Sequence, residues 1–429
     1  MFDMLWAGTT CRPRRKSGRK QWSTDRPRRK IFHGSFCGRV TEKFLKSKTM
    51  KSVLKFLGNY VKRIDKILLL ICVGLSAFDI FLVNTLYENG YVTESAVKTQ
   101  FYAAIIGIAA SIIVGMIDYK LMSKLWFLYA PVALGLQLLL FTSLGVQRDD
   151  DIAWLNFGFF TIQPSEILKI AYILTLSTHI FKLGDKLNKL PHFILVCVHG
   201  LAPVALIIKQ GDAGSALVFL FMFLCMMFMA GISWKYIVAA IAAVPPVIYV
   251  AWNYIMGEHH KIRFLILFDE ELQEAERLDK YLQQYNGKIA LGSGQLTGMG
   301  FDSDSLLKNV PEIYNDFIFS YIGMTLGFIG CMALVIALAV LCLKLLSDAS
   351  GAQDMLGKLI CTGVFGMVLF HSVVNIGMVL SVVPVIGIPL PFISTGGTAM
   401  VSTHIAMGLV YSVTTHRDKQ KHMFYTEED

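Results

Sequence analysis

Residues 67–83, 101–117, 214–231 and 329–343 are long runs of apolar side chains with almost no charge, and they decide what this chain can become. A run of about 18 or more apolar residues is long enough to cross the hydrocarbon core of a bilayer as a helix. No water is present there, so every backbone N–H and C=O must be paired within the spanning element. Repeated runs of this kind therefore predict an all-α, polytopic integral membrane protein. The charged fraction agrees. It is 17%, where a soluble domain carries about 25%.

We place about ten transmembrane helices near residues 66–86, 97–117, 123–145, 164–182, 192–208, 213–231, 233–254, 316–345, 355–383 and 394–414. The fifth and sixth are short and are divided by Lys209-Gln210-Gly211-Asp212. The domain order that follows is a basic tail over 1–60, a membrane domain over 61–415 with a large outer loop over 256–315, and a short tail over 416–429. The tail carries RPRRKSGRK (12–20) and RPRRK (26–30). That composition suits a disordered extension, or a lipid-binding or regulatory arm. It has no apolar core ahead of residue 66, so no cleavable signal is expected. Met50 opens an alternative start.

The net charge of +9 would point a soluble protein toward nucleic acid. Here it points to membrane orientation and to anionic lipid, with no nucleic-acid partner. Lys120, Lys124, Lys182, Lys186, Lys189, Lys235, Lys344 and Lys358 fall in alternate loops, with Arg417, Lys419 and Lys421 in the tail. The other short loops carry Lys98, Arg148 and Lys209 singly. That pattern places both termini in the cytoplasm and the 256–315 loop outside. Five of the eight cysteines (Cys72, Cys197, Cys225, Cys331, Cys342) lie in apolar runs, and no zinc-ligand spacing appears, so they read as small core residues.

The outer loop contains FDEELQEAERLDKYLQQY (268–285), which suits an amphipathic helix. GSGQLTGMGF (292–301) follows, whose glycines allow tight turns or a phosphate cradle. Polar groups at membrane depth are costly and are candidate sites by default. Glu166 and Lys169 share a helix face and suit either a structural ion pair or a substrate site. Asp212, in QGDAG, suits either an N-cap or a broken, cavity-lining helix. His371 and Asn375, four apart, suit helix–helix hydrogen bonding or a site. PVIGIPLPFISTGGT (384–398) cannot continue as a helix. It must be extended or re-entrant, and buried or facing a wet cavity.

Those residues carry a resemblance. HSVVNIGMVLSVVPVIGIPLPFISTGGT (371–398) is similar to the C-terminal signature of the SEDS family, the RodA/FtsW/SpoVE proteins. WLNFG (154–158) with QPSEILKIA (163–171), KIALGSGQLTGMGF (288–301) and PEIYNDFIFSYIGMTLGFIG (311–330) follow in the family's order. The match runs over roughly 60–415 and is nearer the RodA branch. It implies a peptidoglycan glycosyltransferase in the bacterial plasma membrane. Such an enzyme polymerises lipid II beside a class B penicillin-binding protein and releases undecaprenyl pyrophosphate. The implied inverting transfer needs a carboxylate base. It also needs positive charge or a divalent cation, magnesium or manganese, at the pyrophosphate. No organic cofactor is implied.

Carried onto this chain, the base is one of Asp269, Glu276 and Asp279. Asp269 opens FDEE, where the family has Asp-Pro-x-x-Asp-Pro, but Gln273 stands four positions on. The implied substrate-site residues are Gln163, Glu166, Lys169, Gln210, Asp212, Lys288, Ser293, Glu312, Asp316, His371, Asn375, Pro389, Pro391, Ser394, Gly396 and Gly397. Met324 and Thr325 replace the family's usual Glu pair, and Ala153 its Arg. Two other readings share these features: a flippase for the lipid-linked precursor, and a non-catalytic scaffold for a transpeptidase.

Overall fold

The computed structural model describes residues 58, 60, 62–148, 151–158, 161–277, 279, 281–301 and 313–417. The basic runs of the N-terminal tail, Glu312 and residues 418–429 lie outside them.

Helices form where the sequence places apolar runs, and their starts are set by short polar side chains. Asp65 caps α1 (Lys66–Glu88) through the Leu68 amide, and Thr93 caps α2 (Glu94–Met116) through Ala96. The third expected span is a short α3 (Tyr119–Lys124) and α4 (Trp126–Leu139), which meet at Leu125. A three-stranded antiparallel sheet then intervenes: β1 (Gly145–Arg148), β2 (Asp151–Asn156) and β3 (Thr161–Ile162). Beyond it come α5 (Pro164–Leu183), α6 (Leu190–Lys209), α7 (Ala213–Met229) and α8 (Trp234–Val250). Four helices of the outer loop and its exit follow: α9 (Glu258–Leu265), α10 (Glu270–Ala275), α11 (Leu282–Ser293) and the long α12 (Ile318–Ser350). α13 (Met355–Val379) and α14 (Gly397–Thr415) close the chain. Each of the ten expected spans thus coincides with a helix. Among the described residues, seven helices are long and apolar enough to cross a membrane, while α4 and α7 are apolar but shorter. Among the described residues the small sheet is the one departure from an all-helical chain.

Lipid tails give helices little hydrophobic reason to associate, so close backbone approach decides the packing. α2 and α14 touch through small residues. A Cβ on Gly408 would lie 2.7 Å from the Ser111 carbonyl oxygen, and one on Gly107 2.8 Å from the His404 ring. α13 sits at the centre, packed on α5, α7, α12 and α14. α8 is its opposite, with no buried residue. Its first turns are held by Tyr236 stacked on Phe193 at 3.8 Å and by the Ser233 amide donating to Asn188.

The outer-loop acidic run is not one helix. Asp269 caps α10 by accepting from the Glu271 and Leu272 amides, α10 ends at Ala275, and the chain turns before α11. The glycine-rich run packs its backbone against α12. α12 breaks at Gly327 (φ 66°, ψ −164°). Across the break, the Met299 and Gly300 amides donate to the Met324 and Thr325 carbonyls, and the Phe328 and Ile329 amides donate back to Gln295 and Leu296. Gly294 and Gly298 permit this, since their Cβ atoms would lie 1.9 Å and 2.1 Å from the Gly323 and Thr325 carbonyl oxygens. Gly327 occupies a region of backbone space that is essentially glycine-only. Gly327→Ala is therefore expected to lower stability by about 1–3 kcal/mol from strain alone, with the clash of a Cβ 2.4 Å from the Gly298 amide added. Thermal unfolding of the purified protein checks this, and an unchanged midpoint would contradict it.

Candidate active site

A cavity of about 640 Å³ opens where the sheet, the outer loop and the 384–398 segment meet the bundle. β2 contributes Asp151, Ala153 and Trp154, α5 contributes Gln163 and Glu166, and the start of α7 contributes Asp212 to Ser215. The outer loop adds His260, Arg263 and Gln283. Asn315 and Asp316 precede α12, His371 comes from α13, and Val385–Pro389 and Thr395–Ala399 form the remaining wall.

The irregular 384–398 segment holds its shape through side chains that satisfy its backbone. Asn375 donates to the Asp316 and Ile388 carbonyls, each at 2.8 Å. Ser394 Oγ accepts from the Leu390 amide and donates to the Asn315 carbonyl, both at 2.7 Å. Gly214 lets the segment approach α7, because a Cβ there would lie 2.3 Å from the Ile386 oxygen. Gln100 of α2 reaches it from behind. Its Nε2 donates to Asp79 at 2.6 Å and to the Ser394 carbonyl at 3.3 Å, while its Oε1 accepts the Gly396 amide at 3.0 Å.

Beneath the cavity runs a buried charged network. Lys169 Nζ lies 2.7 Å from Glu166 Oε1 and 3.1 Å from His371 Nε2, and the second Glu166 oxygen accepts from Ser402. An ammonium can only donate, so His371 Nε2 is the accepting nitrogen and its proton sits on Nδ1. That proton goes to the Pro389 carbonyl at 3.0 Å. The ion pair read from Glu166 and Lys169 is thus present, and it is joined to the 384–398 wall through a neutral histidine. Asp212 has both of the roles read for it. It caps α7 by accepting the Ser215 amide at 2.8 Å, and it lines the cavity.

Of the other expected residues, Gln163, Asp316, Pro389, Gly396 and Gly397 line the cavity, while Asn375 and Ser394 support it. Gln210 lies outside the lining. It exchanges hydrogen bonds with Gln137, and its carbonyl accepts the Ile152 amide, which fixes the sheet to the end of α6. Pro391 is not part of the lining either. Lys288 is exposed on α11, and Ser293 bonds back to its own helix. Asp269, Glu276 and Asp279 also stand apart from the lining, with Asp269 and Asp279 exposed. The cavity's own acids are Asp151, Glu166, Asp212 and Asp316. Asp151, His260 and Arg263 escaped the sequence reading. The i, i+3 spacing of His260 and Arg263 on a loop helix was the available signal.

A second hollow, an apolar groove of about 720 Å³, runs down the bundle between α2, α4, α5 and α14. It is lined by residues such as Ile106, Tyr129, Ile167, Leu174 and Leu409. Thr161, Gly397 and Thr398 belong to both hollows, so the polar cavity and the apolar groove adjoin.

The chain resembles proteins already characterised. Residues 63–419 match the family model of the FtsW/RodA/SpoVE cell cycle proteins. The peptidoglycan glycosyltransferase MrdB of Escherichia coli K12 is 33% identical over 278 residues, 64% of this chain and 72% of that protein. The peptidoglycan glycosyltransferase RodA of Treponema pallidum is 28% identical, with 83% and 99% covered. The crystal structure of Thermus thermophilus RodA superposes with a TM-score of 0.62 at 22% identity, over 82% of this chain and 97% of that one. A chain of a peptidoglycan synthase complex that coordinates polymerization and crosslinking gives 0.69 at 22% identity, over 83% and 99%. A match across the whole helical bundle, together with apolar helices of spanning length, makes this chain a multi-pass membrane protein of the FtsW/RodA/SpoVE family.

Proposed function

We propose that the chain is a peptidoglycan glycosyltransferase that polymerises lipid II. The observation that carries this is the union of a polar cavity with an apolar groove at Thr161, Gly397 and Thr398. A polyprenyl-linked sugar needs both, one for the glycan and one for the tail. The glycosyltransferase names of the relatives support the same reading.

In the reaction, the 4-hydroxyl oxygen of an acceptor GlcNAc bonds to C1 of a donor MurNAc. A carboxylate takes the hydroxyl proton. The C1–oxygen bond to the carrier breaks, and undecaprenyl diphosphate leaves with the electron pair. Among the described residues no three His, Cys, Asp or Glu side chains converge to hold a metal ion. A magnesium or manganese ion at the diphosphate needs only one or two protein carboxylates beside the substrate's phosphates, which Asp151, Asp212 or Asp316 would supply, and no step is routed through one. Glu166 is engaged by Lys169 and Ser402, which leaves the base to another acid. The loop candidates are Asp269, Glu276 and Asp279, and the cavity offers Asp151, Asp212 and Asp316.

The positive-inside pattern supports cytoplasmic termini. A class B penicillin-binding protein is the proposed partner, and likeness to a chain from a synthase complex favours it. The test is lipid II polymerisation by the purified protein with its co-expressed transpeptidase, with alanine at each of the six acids. Glycan strands from wild type, lost in one variant, are expected. No strands from a folded, partner-bound wild type would overturn the reading in favour of a scaffold or a lipid transporter.

A further inference from the structure

Helix α9 carries two kinds of side chain. His260 and Arg263, one turn apart, both line the cavity. Arg263 is the only Lys or Arg among the lining residues, which include four acids. Among the described residues it makes neither an ion pair nor a hydrogen bond. A guanidinium has five donors in a planar fork, a geometry matched to phosphate oxygens. A guanidinium without such a partner among the described residues, lining this cavity, is suited to an anionic ligand.

The last turn of α9 and the residues just after it are aromatic and apolar. Phe264 and Leu265 are each 42% exposed and Phe268 is 76% exposed. Their rings continue an existing surface. Trp252, just beyond the lipid-facing α8, meets Phe264 edge-on at 5.8 Å, and Phe264 meets Phe268 at 5.7 Å. Tryptophan settles at the level of lipid headgroups, and Trp252 brings that preference to this cluster. A helix held at that level would carry Arg263 to the phosphates of a carrier lipid.

We propose that α9 is the diphosphate-binding element of the cavity. Arg263 grips the diphosphate of a polyprenyl-linked substrate, or of the carrier after it leaves, and His260 supplies a second contact. The aromatic end anchors the helix in the outer leaflet. The proposal rests on the glycosyl-transfer reading for the identity of the ligand. The chemistry it names, an anionic phosphate on a lipid, is shared by the carrier and by ordinary acidic phospholipid.

The test is titration of undecaprenyl diphosphate into the full-length protein in phosphatidylcholine nanodiscs, repeated with undecaprenyl monophosphate and with added phosphatidylglycerol. Wild type is compared with Arg263→Ala, Arg263→Lys and His260→Ala. Losing a charge-assisted, two-pronged contact is expected to weaken diphosphate binding about 10- to 100-fold in Arg263→Ala. Lysine should restore part of it, as a point charge without the fork. The thermal midpoint should stay unchanged, because Arg263 has no partner among the described residues to lose. The monophosphate should bind more weakly, and phosphatidylglycerol should not compete. Equal binding by wild type and Arg263→Ala, or no binding by wild type, would overturn the proposal. Equal competition by phosphatidylglycerol would replace it with a general acidic-lipid site. Binding that depends on Arg263 in a protein that makes no glycan would keep the anion site and remove the polymerase reading. Glycan made by wild type with unchanged binding in Arg263→Ala would do the reverse.

Discussion

Lys169→Met is expected to be among the most damaging single substitutions in the bundle, lowering stability by about 3–5 kcal/mol and abolishing the activity that depends on the cavity wall. The two side chains of the Glu166–Lys169 pair are 3% and 2% exposed. Methionine approximates the lysine stem and removes only the ammonium. Glu166 would then be a buried carboxylate facing Ser402 alone, and uncompensated buried charge is the costly outcome. His371 Nε2 would also lose its donor, freeing the ring whose Nδ1–H holds the Pro389 carbonyl. Lys169→Met/Glu166→Gln should recover much of the stability, since replacing both members of a buried pair is far milder than removing one. It should not recover activity, because His371 would still lack its partner. Thermal unfolding in one detergent, read beside glycan synthesis, separates the two effects. Equal destabilisation in the single and double variants would show that the pair is not the energetic unit argued here.

The membrane helices were legible because a bilayer leaves so few solutions. Ten apolar runs became helices, with α13 and its neighbours buried in the bundle. The sheet at 145–162 was not legible. WLNFG has the look of a loop before a helix, and its strand pairing is fixed from outside, by Gln210 accepting the Ile152 amide. The glycine-rich run shows the same limit. Its glycines serve backbone contact with α12 at Gly327, and no local pattern encodes a partner some thirty residues away.

The polar residues read best were those whose burial forces a partner. Glu166, Lys169, His371 and Asn375 all meet one, and all converge on the 384–398 segment or the cavity above it. The loop acids were harder. An exposed carboxylate can act as a helix cap, a solvated surface group or a base, and Asp269 caps α10 here. Arg263 was missed for a related reason. A lone arginine on a charged loop is ordinary until the fold shows that it faces a cavity and, among the described residues, pairs with nothing. Sequence identifies where charge must be balanced, whereas the open positions in a balance emerge only when the elements are assembled.

Gln100 carries the second large prediction, and the reasoning again turns on what is left behind. Gln100→Leu should lower stability by about 3 kcal/mol or more, summing roughly 1–3 kcal/mol for each buried polar group left without its partner. Three groups lose theirs: Asp79 Oδ2, the Gly396 amide and the Ser394 carbonyl. Asp79 is fully buried, and its Oδ1 already has no hydrogen-bond partner among the described residues, so without Gln100 it would have none on either oxygen. The amide orientation is fixed by this arrangement. Nε2 must face Asp79 and Ser394, which accept, and Oε1 must face Gly396, which donates. Asp79→Leu removes an acid but leaves Gln100 its bonds to the 394–396 backbone. It should therefore cost much less than Gln100→Leu, and added to Gln100→Leu it should restore part of the loss. Glycan synthesis should fall further in Gln100→Leu than in Asp79→Leu, because Gly396 and its neighbours form the cavity wall. Thermal midpoints of the two single variants and the double form the cycle that checks this. Additive losses would mean that Asp79 and Gln100 act independently, and Gln100 would then contribute only through its bonds to the 394–396 backbone.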